Sequence, residues 1–235
     1  MKYISFSLFG NDPKYVRGMF ENVKLKDNLY KGWKIIVYYD SSVLRKTLEV
    51  LSADGVILKN MTDSGIFPTS WRFLAANEED CELFICRDTD SRISQREELA
   101  VAEWESEDKE LHIMRDHPHH GCAIMAGMWG MKGSLFDMRE EILKYQGKHY
   151  NPYVDNWHKQ TDQDFLRDVI YKNYATQEKS TIHTAQDFLN RVPWKPECWS
   201  KDFPAPICED KYFIGEIFSF KSDGQEYREY QYKER

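Results

Sequence analysis

Residues 83–92 read LFICRDTDSR, and this stretch decides the fold. Its first four residues are apolar without alternation, which is typical of a strand that is buried on both faces. Helices must then cover both sides of a mostly parallel sheet. Acidic residues follow where the strand should end, and open α/β sheets bind their ligands at the carboxyl ends of the strands. The stretch therefore predicts a doubly wound α/β fold and also the place of its functional site.

The segments around this stretch alternate short β-rich runs with amphipathic helical patterns. We predict strands at residues 3–9, 33–39, 56–58, 83–86 and 111–114, and helices at 14–23, 43–51, 70–76, 95–104, 135–145 and 163–174. Beyond about residue 147 the pattern loosens and prolines accumulate, which indicates an irregular C-terminal part folded over the sheet. We expect one domain over residues 1–235, with two halves at about 1–130 and 131–220 and a fraying tail at 222–235.

The net charge of the chain argues against some classes of binding partner. The 32 basic and 39 acidic residues give a formal net charge of -7, which argues against binding to nucleic acid or to an anionic membrane. No apolar stretch reaches the length of a membrane span, and the N-terminus lacks the pattern of a signal peptide. The 5 cysteines form no CxxC pair, so we expect no disulfide framework and a cytoplasmic location.

Asp88 and Asp90 are the first candidates for a metal site. Residues two apart in an extended chain project to the same side, so both carboxylates can bind one hard cation such as Mn²⁺ or Mg²⁺. Such a cation neutralises the charge of a diphosphate leaving group. Arg87 and Arg92 flank the pair and are candidates to contact phosphate or to keep the carboxylates ionised. Acidic pairs are common in turns, but two charges at the end of a buried strand are costly without a partner, which favours a functional role.

Six short segments carry a resemblance to a known family. They are FSLFG at 6–10, WRFL at 71–74, RDTDSRIS at 87–94, HIMRDHP at 112–118, GMWG at 127–130 and TDQDFL at 161–166. In this order they resemble the GT-A glycosyltransferases, especially small members from bacteria, phages and large DNA viruses. The likeness covers about residues 3–215 and implies an α/β GT-A fold with a mostly parallel sheet. It also implies transfer of a sugar from a nucleoside-diphosphate sugar, most commonly of uridine or guanosine, to a hydroxyl of a glycan or other acceptor. The half at about 1–130 would then bind nucleotide and metal, and the half at about 131–220 would form the acceptor side.

The resemblance also implies roles for individual residues. Mn²⁺ or Mg²⁺ is expected on Asp88 and Asp90. Expected contacts to the nucleotide and donor are Ser7, Leu8, Phe9, Gly10, Asp40, Arg72, Arg87, Asp88, Thr89 and Asp90. Expected contacts to the donor sugar and acceptor are Arg115, His117, Gly127, Met128 and Trp129. Gly127 would let backbone approach the substrate, and Trp129 would stack on a sugar.

Three further residues are candidates for metal binding or catalysis. Enzymes of this fold often add a histidine near the C-terminus as a third metal ligand, and His183 is the candidate, although Thr184 stands where close relatives would have an acid. Asp162 and Asp164 suit the first turn of a helix capped by Thr161. One of them is alternatively the base that deprotonates the acceptor hydroxyl, and alignment with the family motif favours Asp162.

Two other functions stay open at this point. A sugar-phosphate nucleotidyltransferase would use a related sheet, but it normally has a glycine-rich, basic loop after the first strand, where this chain has FGNDPK at 9–14. The second is a non-catalytic nucleotide- or glycan-binding module of the same fold. The run HPHH at 117–120 suggests zinc, but its spacing favours a mobile loop over the active site instead.

Overall fold

The computed structural model describes residues 1–117, 120–149, 161–189, 192–206 and 212–229. Its strands are β1 Lys2–Leu8, β2 Lys34–Tyr39, β3 Ile57–Asn60, β4 Leu83–Cys86, β5 Leu111–Arg115, β6 Trp129–Lys132, β7 Ser180–Thr184, β8 Phe218–Phe220 and β9 Glu226–Arg228. Its helices are α1 Pro13–Leu29, α2 Arg45–Ala53, a 3₁₀ helix Pro68–Asn77, α3 Gln95–Glu107, α4 Met138–His149, α5 Thr161–Phe165 with its π-helical continuation Leu166–Tyr171, α6 Lys172–Tyr174 and α7 Gln186–Leu189.

Seven strands form one sheet in the order β3-β2-β1-β4-β6-β5-β7. Every neighbouring pair is parallel except those that involve β6, which runs antiparallel to β4 and β5. The predicted α/β class and mostly parallel sheet are therefore confirmed. In such a sheet the carboxyl ends of β1, β2, β4, β5 and β7 lie at one edge, which is where ligands of open α/β sheets bind.

The central strands are buried on both faces, as the apolar run of β4 predicts. Side chains alternate between two hydrophobic clusters, one on each side of the sheet. Phe84 and Cys86 belong to the cluster that includes Phe73 of the 3₁₀ helix, whereas Ile85 belongs to the cluster that includes Met19 of α1. Helices thus cover both faces, and the pair Asp88 and Asp90 follows the most enclosed strand.

The sequence did not predict β6. Residues 127–130 were expected to line the donor site as a turn, but Trp129–Lys132 is the antiparallel strand between β4 and β5. Gly130 allows this pairing, because a Cβ there would lie 2.7 Å from the Phe84 carbonyl oxygen. Trp129 is consequently a core residue that packs edge-on against Phe73 and Phe84.

Hydrogen bonds and an ion pair between buried polar groups hold the C-terminal part against the sheet. Asp116, just after β5, pairs with Arg96 of α3 at 2.9 Å and accepts a hydrogen bond of 2.8 Å from the Ile214 amide. The Phe218 amide of the β8–β9 hairpin donates to the Asp90 carbonyl at 2.8 Å. These contacts bring residues 214–218 to the edge where the central strands end. Of the helices within the described ranges, none combines the length and the apolarity needed to cross a bilayer.

Candidate active site

A cleft of about 340 Å³ opens at the carboxyl ends of β1 and β4. Its walls come from those two strands, from the first turn of α1, from the 3₁₀ helix, from the segment between β5 and β6, from α5 and from the segment before β8. The lining residues are Ser7, Phe9, Tyr15, Thr69, Arg72, Asp88, Thr89, Asp90, His120, Met125, Asp162, Gln163, Gly215 and Ile217.

The predicted metal pair lies in this cleft, and each carboxylate has a cationic neighbour. Arg72 donates from Nη1 to Asp88 Oδ1, and the Lys14 ammonium lies 3.2 Å from Asp90 Oδ2. The side chain of Asp88 is 43% exposed, whereas that of Asp90 is 12% exposed. Burial raises the pKa of Asp90, the charge of Asp88 raises it further, and Lys14 offsets these effects only in part. The two carboxylates thus repel each other in a poorly solvated place, which a cation would relieve.

Local packing fixes the loop that carries the pair. Asn22 of α1 donates to the Ser91 carbonyl at 2.9 Å and accepts from the Ile93 amide at 3.0 Å. Gly18 on the same helix permits close contact, because a Cβ there would lie 2.1 Å from the Thr89 carbonyl oxygen. Ser94 then caps α3 by accepting from the Glu97 amide. Contacts with α1 therefore fix the backbone of this loop, and the carboxylates of Asp88 and Asp90 face the cleft.

Gly127 lies directly against the metal pair. A Cβ at this position would lie 1.9 Å from Asp88 Oδ2, so any larger residue forces the carboxylate to move. The sequence predicted that Gly127 allows a close approach of backbone to substrate. In the structure the group that approaches is the Asp88 carboxylate.

Arg72 and Asp162 form the second charged group of the cleft. Arg72 Nη2 lies 3.5 Å from Asp162 Oδ2, and Arg72 Nε has no hydrogen-bond partner within the described part of the chain. Burial opposes the charge on Arg72, but Asp88 and Asp162 outweigh it and raise its pKa. Burial also raises the pKa of the Asp162 carboxyl, and Arg72 offsets this only in part. A buried carboxyl with a raised pKa is a candidate general base.

The donor set fits a Mg²⁺ or Mn²⁺ ion that is shared with a phosphate ligand. Within the described residues no group of three or more His, Cys, Asp or Glu side chains could hold a metal. A hard cation that binds substrate phosphates needs only one or two carboxylates, and Asp88 and Asp90 supply these. The residues present therefore suit a metal that arrives with a diphosphate and not a closed, all-protein metal site.

The end of β1 contributes two of its four predicted residues to the cleft. Ser7 lines it and accepts a hydrogen bond of 3.0 Å from the Arg72 amide, and Phe9 is 40% exposed and packs edge-on against Trp71. The Leu8 side chain is in the core. The Gly10 amide donates to Ser42 Oγ at 2.6 Å.

Asp40 is engaged with its own turn, because its carboxylate accepts from the amide and the hydroxyl of Ser42. It is not among the residues that line the cleft.

Several predicted site residues are structural instead. Arg87 is buried and pairs with Glu97 at 2.9 Å, so it turns away from the metal pair. Arg115 is also buried, pairs with Glu197 at 2.6 Å and donates to the Ala123 carbonyl at 2.8 Å. The structure therefore does not bring Arg87 to the expected nucleotide and donor contacts or Arg115 to the expected donor-sugar and acceptor contacts, and the fully buried Trp129 cannot stack on a sugar.

The structure does not bring His183 to the metal pair. Its Nδ1 lies 2.9 Å from His112 Nε2, and its Nε2 lies 3.1 Å from Glu103 Oε2, so both ring nitrogens are engaged. Strand β7 is three positions from β4 in the sheet, which is about 14 Å at the usual strand spacing. We therefore do not retain His183 as a metal ligand.

The remaining predicted residues divide between the cleft and its surroundings. Thr89 lines the cleft, whereas Asp164 does not and instead pairs with Arg167 at 2.6 Å. His117 and Met128 are buried behind His120, which does line the cleft: the His117 and His120 rings are 4.4 Å apart, and Met128 Sδ lies 3.4 Å from His120 Nδ1. Of the predicted loop at 117–120, residues 118 and 119 lie outside the described residues.

Sequence reasoning missed other residues that line the cleft, which are Tyr15, Thr69, His120 as a specific choice, Met125, Gln163, Gly215 and Ile217. It also missed Lys14, which does not line the cleft but contacts Asp90. Lys14 and Tyr15 could have been found, because the first turn of α1 follows β1 at the edge where ligands bind. Gly215 and Ile217 could not, because only the tertiary fold brings that distant segment to Asp90.

Comparisons with known proteins add the following. No protein-family model matches the sequence, and a search of curated proteins found no significant match. The fold is similar to that of a glycosyltransferase involved in the glycosylation of the major capsid of PBCV-1, with 14% identity over 78% of this chain and 81% of that chain and a TM-score of 0.48. It is also similar to residues 1–349 of TarS from S. aureus, with 17% identity over 52% of this chain and 37% of that one and a TM-score of 0.40. Values this low do not establish a shared function.

Proposed function

We propose that this protein is a metal-dependent glycosyltransferase of the GT-A type, which moves a sugar from a nucleoside-diphosphate sugar to an acceptor hydroxyl. The observation that carries the proposal is the convergence of three groups in one cleft: the Asp88–Asp90 pair, the Arg72 guanidinium and the buried Asp162 carboxyl. Each group suits a different part of this reaction. The resemblance of six sequence segments to GT-A enzymes points the same way.

The donor side of the reaction belongs to Asp88, Asp90 and Arg72. The two aspartates would hold Mn²⁺ or Mg²⁺, which when bound neutralises the charge that develops on the leaving diphosphate. Arg72 would bind the diphosphate as well, and two facts support this: a guanidinium offers paired donors to phosphate oxygens, and its Nε has no partner within the described residues. Ser7 and the exposed ring of Phe9 lie beside these groups and suit the ribose and the base of a uridine or guanosine nucleotide.

The acceptor side belongs to Asp162. Its raised pKa brings the carboxylate closer to the proton affinity that a general base needs near neutral pH. In an inverting transfer Asp162 takes the proton of the acceptor hydroxyl as that oxygen attacks the anomeric carbon. In a retaining transfer the same carboxylate binds the acceptor or stabilises the oxocarbenium-like transition state. The acceptor itself, a glycan or another hydroxyl compound, binds beside Asp162.

The segment after β1 disfavours a nucleotidyltransferase. Such an enzyme needs free backbone amides there to bind a triphosphate. Here the Gly10 amide donates to Ser42 Oγ at 2.6 Å, and the Asn11 side-chain amide donates to the Ser42 carbonyl at 2.5 Å. The donors of this loop are thus already paired with Ser42 and are not free to bind a phosphate.

The test is release of nucleoside diphosphate from a panel of uridine and guanosine diphosphate sugars, with Mn²⁺ and mixed hydroxyl acceptors. We expect release from at least one donor, its loss on adding a chelator, and a fall of about a hundredfold or more for Asp90→Asn. Asp27→Asn, a highly exposed acid on α1, is the matched control and should behave as wild type. Release that is insensitive to both the chelator and Asp90→Asn would contradict the proposal.

A further inference from the structure

Lys14 carries a positive charge where helix stability does not favour one. It lies in the first turn of α1, and the partial positive charge at a helix N-terminus makes a cation there unfavourable. Asp12 caps the same turn by accepting from the Lys14 amide at 2.9 Å. The helix therefore accounts for the acid at position 12 but not for the ammonium group of Lys14.

The contacts of the ammonium group point to the cleft instead. Lys14 Nζ lies 3.2 Å from Asp90 Oδ2 and 3.0 Å from Glu229 Oε1, and the side chain is 18% exposed. The ammonium group therefore pairs with one of the two carboxylates that are assigned to the metal.

Lys14 forms an ion pair with Asp90, as Arg72 does with Asp88. Each carboxylate of the pair has one protein cation, and each cation has a second carboxylate, Asp162 for Arg72 and Glu229 for Lys14. The four carboxylates and two cations together carry a formal charge of -2, which one divalent ion balances. The ion competes with Arg72 and Lys14 for Asp88 and Asp90, so both cations lose a carboxylate partner when it binds. A diphosphate that arrives with the ion brings negative charge and offers new acceptors to both protein cations.

We propose that Lys14 is a second phosphate-binding cation, which neutralises Asp90 in the absence of ligand and moves onto the diphosphate when metal and nucleotide bind together. This inference rests on the proposed function and assigns the coupling between metal and nucleotide to one side chain. It predicts effects of opposite sign when the charge is removed. Metal alone binds more tightly because Asp90 is released, and nucleotide with metal binds more weakly because a phosphate contact is lost. A purely structural role would change both affinities in the same direction.

The experiment compares Lys14→Met with wild type in two titrations. Mn²⁺ alone is followed by the electron paramagnetic resonance signal of the free ion, and UDP and GDP are titrated by calorimetry in saturating Mn²⁺. We expect the affinity for Mn²⁺ alone to rise about threefold and the affinity for the nucleotide diphosphate to fall about tenfold. Lys24→Met is the matched control, because this lysine is on the same helix, is 69% exposed and pairs with Glu21.

Two further variants make the result independent of one substitution. Lys14→Gln, which removes the charge but keeps a polar side chain, should give the same opposite shifts. Lys14→Arg should keep the nucleotide affinity within about threefold of wild type, since it keeps the charge. Shifts in the same direction, or shifts no larger than those of Lys24→Met, would overturn the inference while leaving Mn²⁺-dependent binding by wild type, and with it the proposed function, intact. If wild type binds neither UDP nor GDP with Mn²⁺, the proposed function fails and the inference fails with it.

Discussion

Two groups of charged residues, which we call the cleft cluster and the buried cluster, differ in how many of their polar atoms have partners. The cleft cluster, at the ends of β1 and β4, consists of Asp88, Asp90, Asp162, Arg72 and Lys14. The buried cluster, at β5 and β7, has two parts on opposite faces of β5: His112, His183 and Glu103 on one face, and Arg115 and Glu197 on the other. Each cluster contains residues that the sequence analysis named as candidates: Asp88, Asp90, Asp162 and Arg72 in the cleft cluster, and Arg115 and His183 in the buried cluster.

The difference between the clusters shows which of them is open to a ligand. In the buried cluster all three side-chain nitrogens of Arg115 donate hydrogen bonds, to Glu197 or to the Ala123 carbonyl. Both ring nitrogens of His183 also have a hydrogen-bond partner. In the cleft cluster Asp88 is substantially exposed, and Arg72 Nε has no partner within the described residues. In the buried cluster His112 Nδ1 also has no partner among the described residues, but His112 is fully buried and does not line the cleft. A functional site needs groups that a ligand can reach and whose partners are missing or replaceable, and of the two clusters it is the cleft cluster that has them. Substitutions should therefore affect function in the cleft cluster and stability in the buried cluster.

The largest expected effect is on catalysis, from Asp162→Asn. An amide cannot accept the acceptor proton, so sugar transfer should fall by about 10²- to 10⁴-fold while nucleotide binding with Mn²⁺ stays near wild type. Steady-state transfer rates and calorimetry measure the two. Asp164→Asn is the control on the same helix, because Asp164 pairs with Arg167 and does not line the cleft. Equal losses for both variants would place the base elsewhere.

The next largest effect is on stability, from Arg115→Met in the buried cluster. The substitution leaves Glu197 without its charged partner, and breaking a buried pair costs about 3 kcal/mol or more. For a domain of this size the melting temperature should fall by roughly 10 °C, measured by thermal denaturation. Arg45→Met, a highly exposed helix pair with Glu49, should change it little. An unchanged melting temperature, or loss of nucleotide binding by the folded variant, would count against the division into two clusters.

The buried histidines predict a smaller effect that depends on pH. Burial lowers the pKa of His183 and lowers that of His112 well below its usual value. A histidine in the unfolded chain takes up a proton as the pH falls through about 6.5, whereas these buried histidines stay neutral. The free energy of unfolding that the neutral histidines contribute is therefore fully present above that pH and is lost as the pH falls below it. One such histidine contributes about 1.4 kcal/mol per pH unit, or about 2 kcal/mol between pH 6.5 and 5.

The measurement is urea denaturation of wild type, His112→Gln and His149→Gln across this range. His112→Gln should reduce the slope of stability against pH by the contribution of about one histidine, and His149→Gln, at an exposed position, is the control. Identical slopes for wild type and His112→Gln would show that His112 titrates alike in both states.

The smallest effect is on metal affinity, from Gly127→Ala. The added methyl group would meet Asp88 Oδ2 at 1.9 Å and turn the carboxylate away, so the affinity for metal with nucleotide should fall about tenfold. Gly121→Ala is the control, because nothing lies within 4 Å of a Cβ there. Calorimetry with Mn²⁺ and nucleotide distinguishes the two variants, and equal affinities would mean that the contact with Asp88 is not needed.

Much of the fold could be predicted from residues 83–92, because an apolar strand without alternation requires helices on both faces. The antiparallel β6 could not, since Gly127-Met128-Trp129-Gly130 has the composition of a turn and only pairing with β4 and β5 makes part of it a strand. Asp88 and Asp90 could be placed because the site lies at the end of that strand.

The resemblance assigned Arg87 to the nucleotide and donor and Arg115 to the donor sugar and acceptor. Each lies at the end of a strand, but whether a side chain turns into the cleft or into a buried pair depends on a distant partner, Glu97 or Glu197. Sequence spacing cannot supply that partner. The same limit explains His183, whose neighbours His112 and Glu103 belong to other elements.

The central claim is that Asp88 and Asp90 bind a metal together with a nucleotide diphosphate, and calorimetry tests it most directly. Wild type and Asp90→Asn are titrated with UDP, GDP and their sugar conjugates, each with Mn²⁺ and with a chelator. We predict that at least one nucleotide binds wild type more tightly with Mn²⁺ than with the chelator, and that Asp90→Asn removes this difference. Binding that is independent of Mn²⁺, or a difference that survives in Asp90→Asn, would contradict the claim.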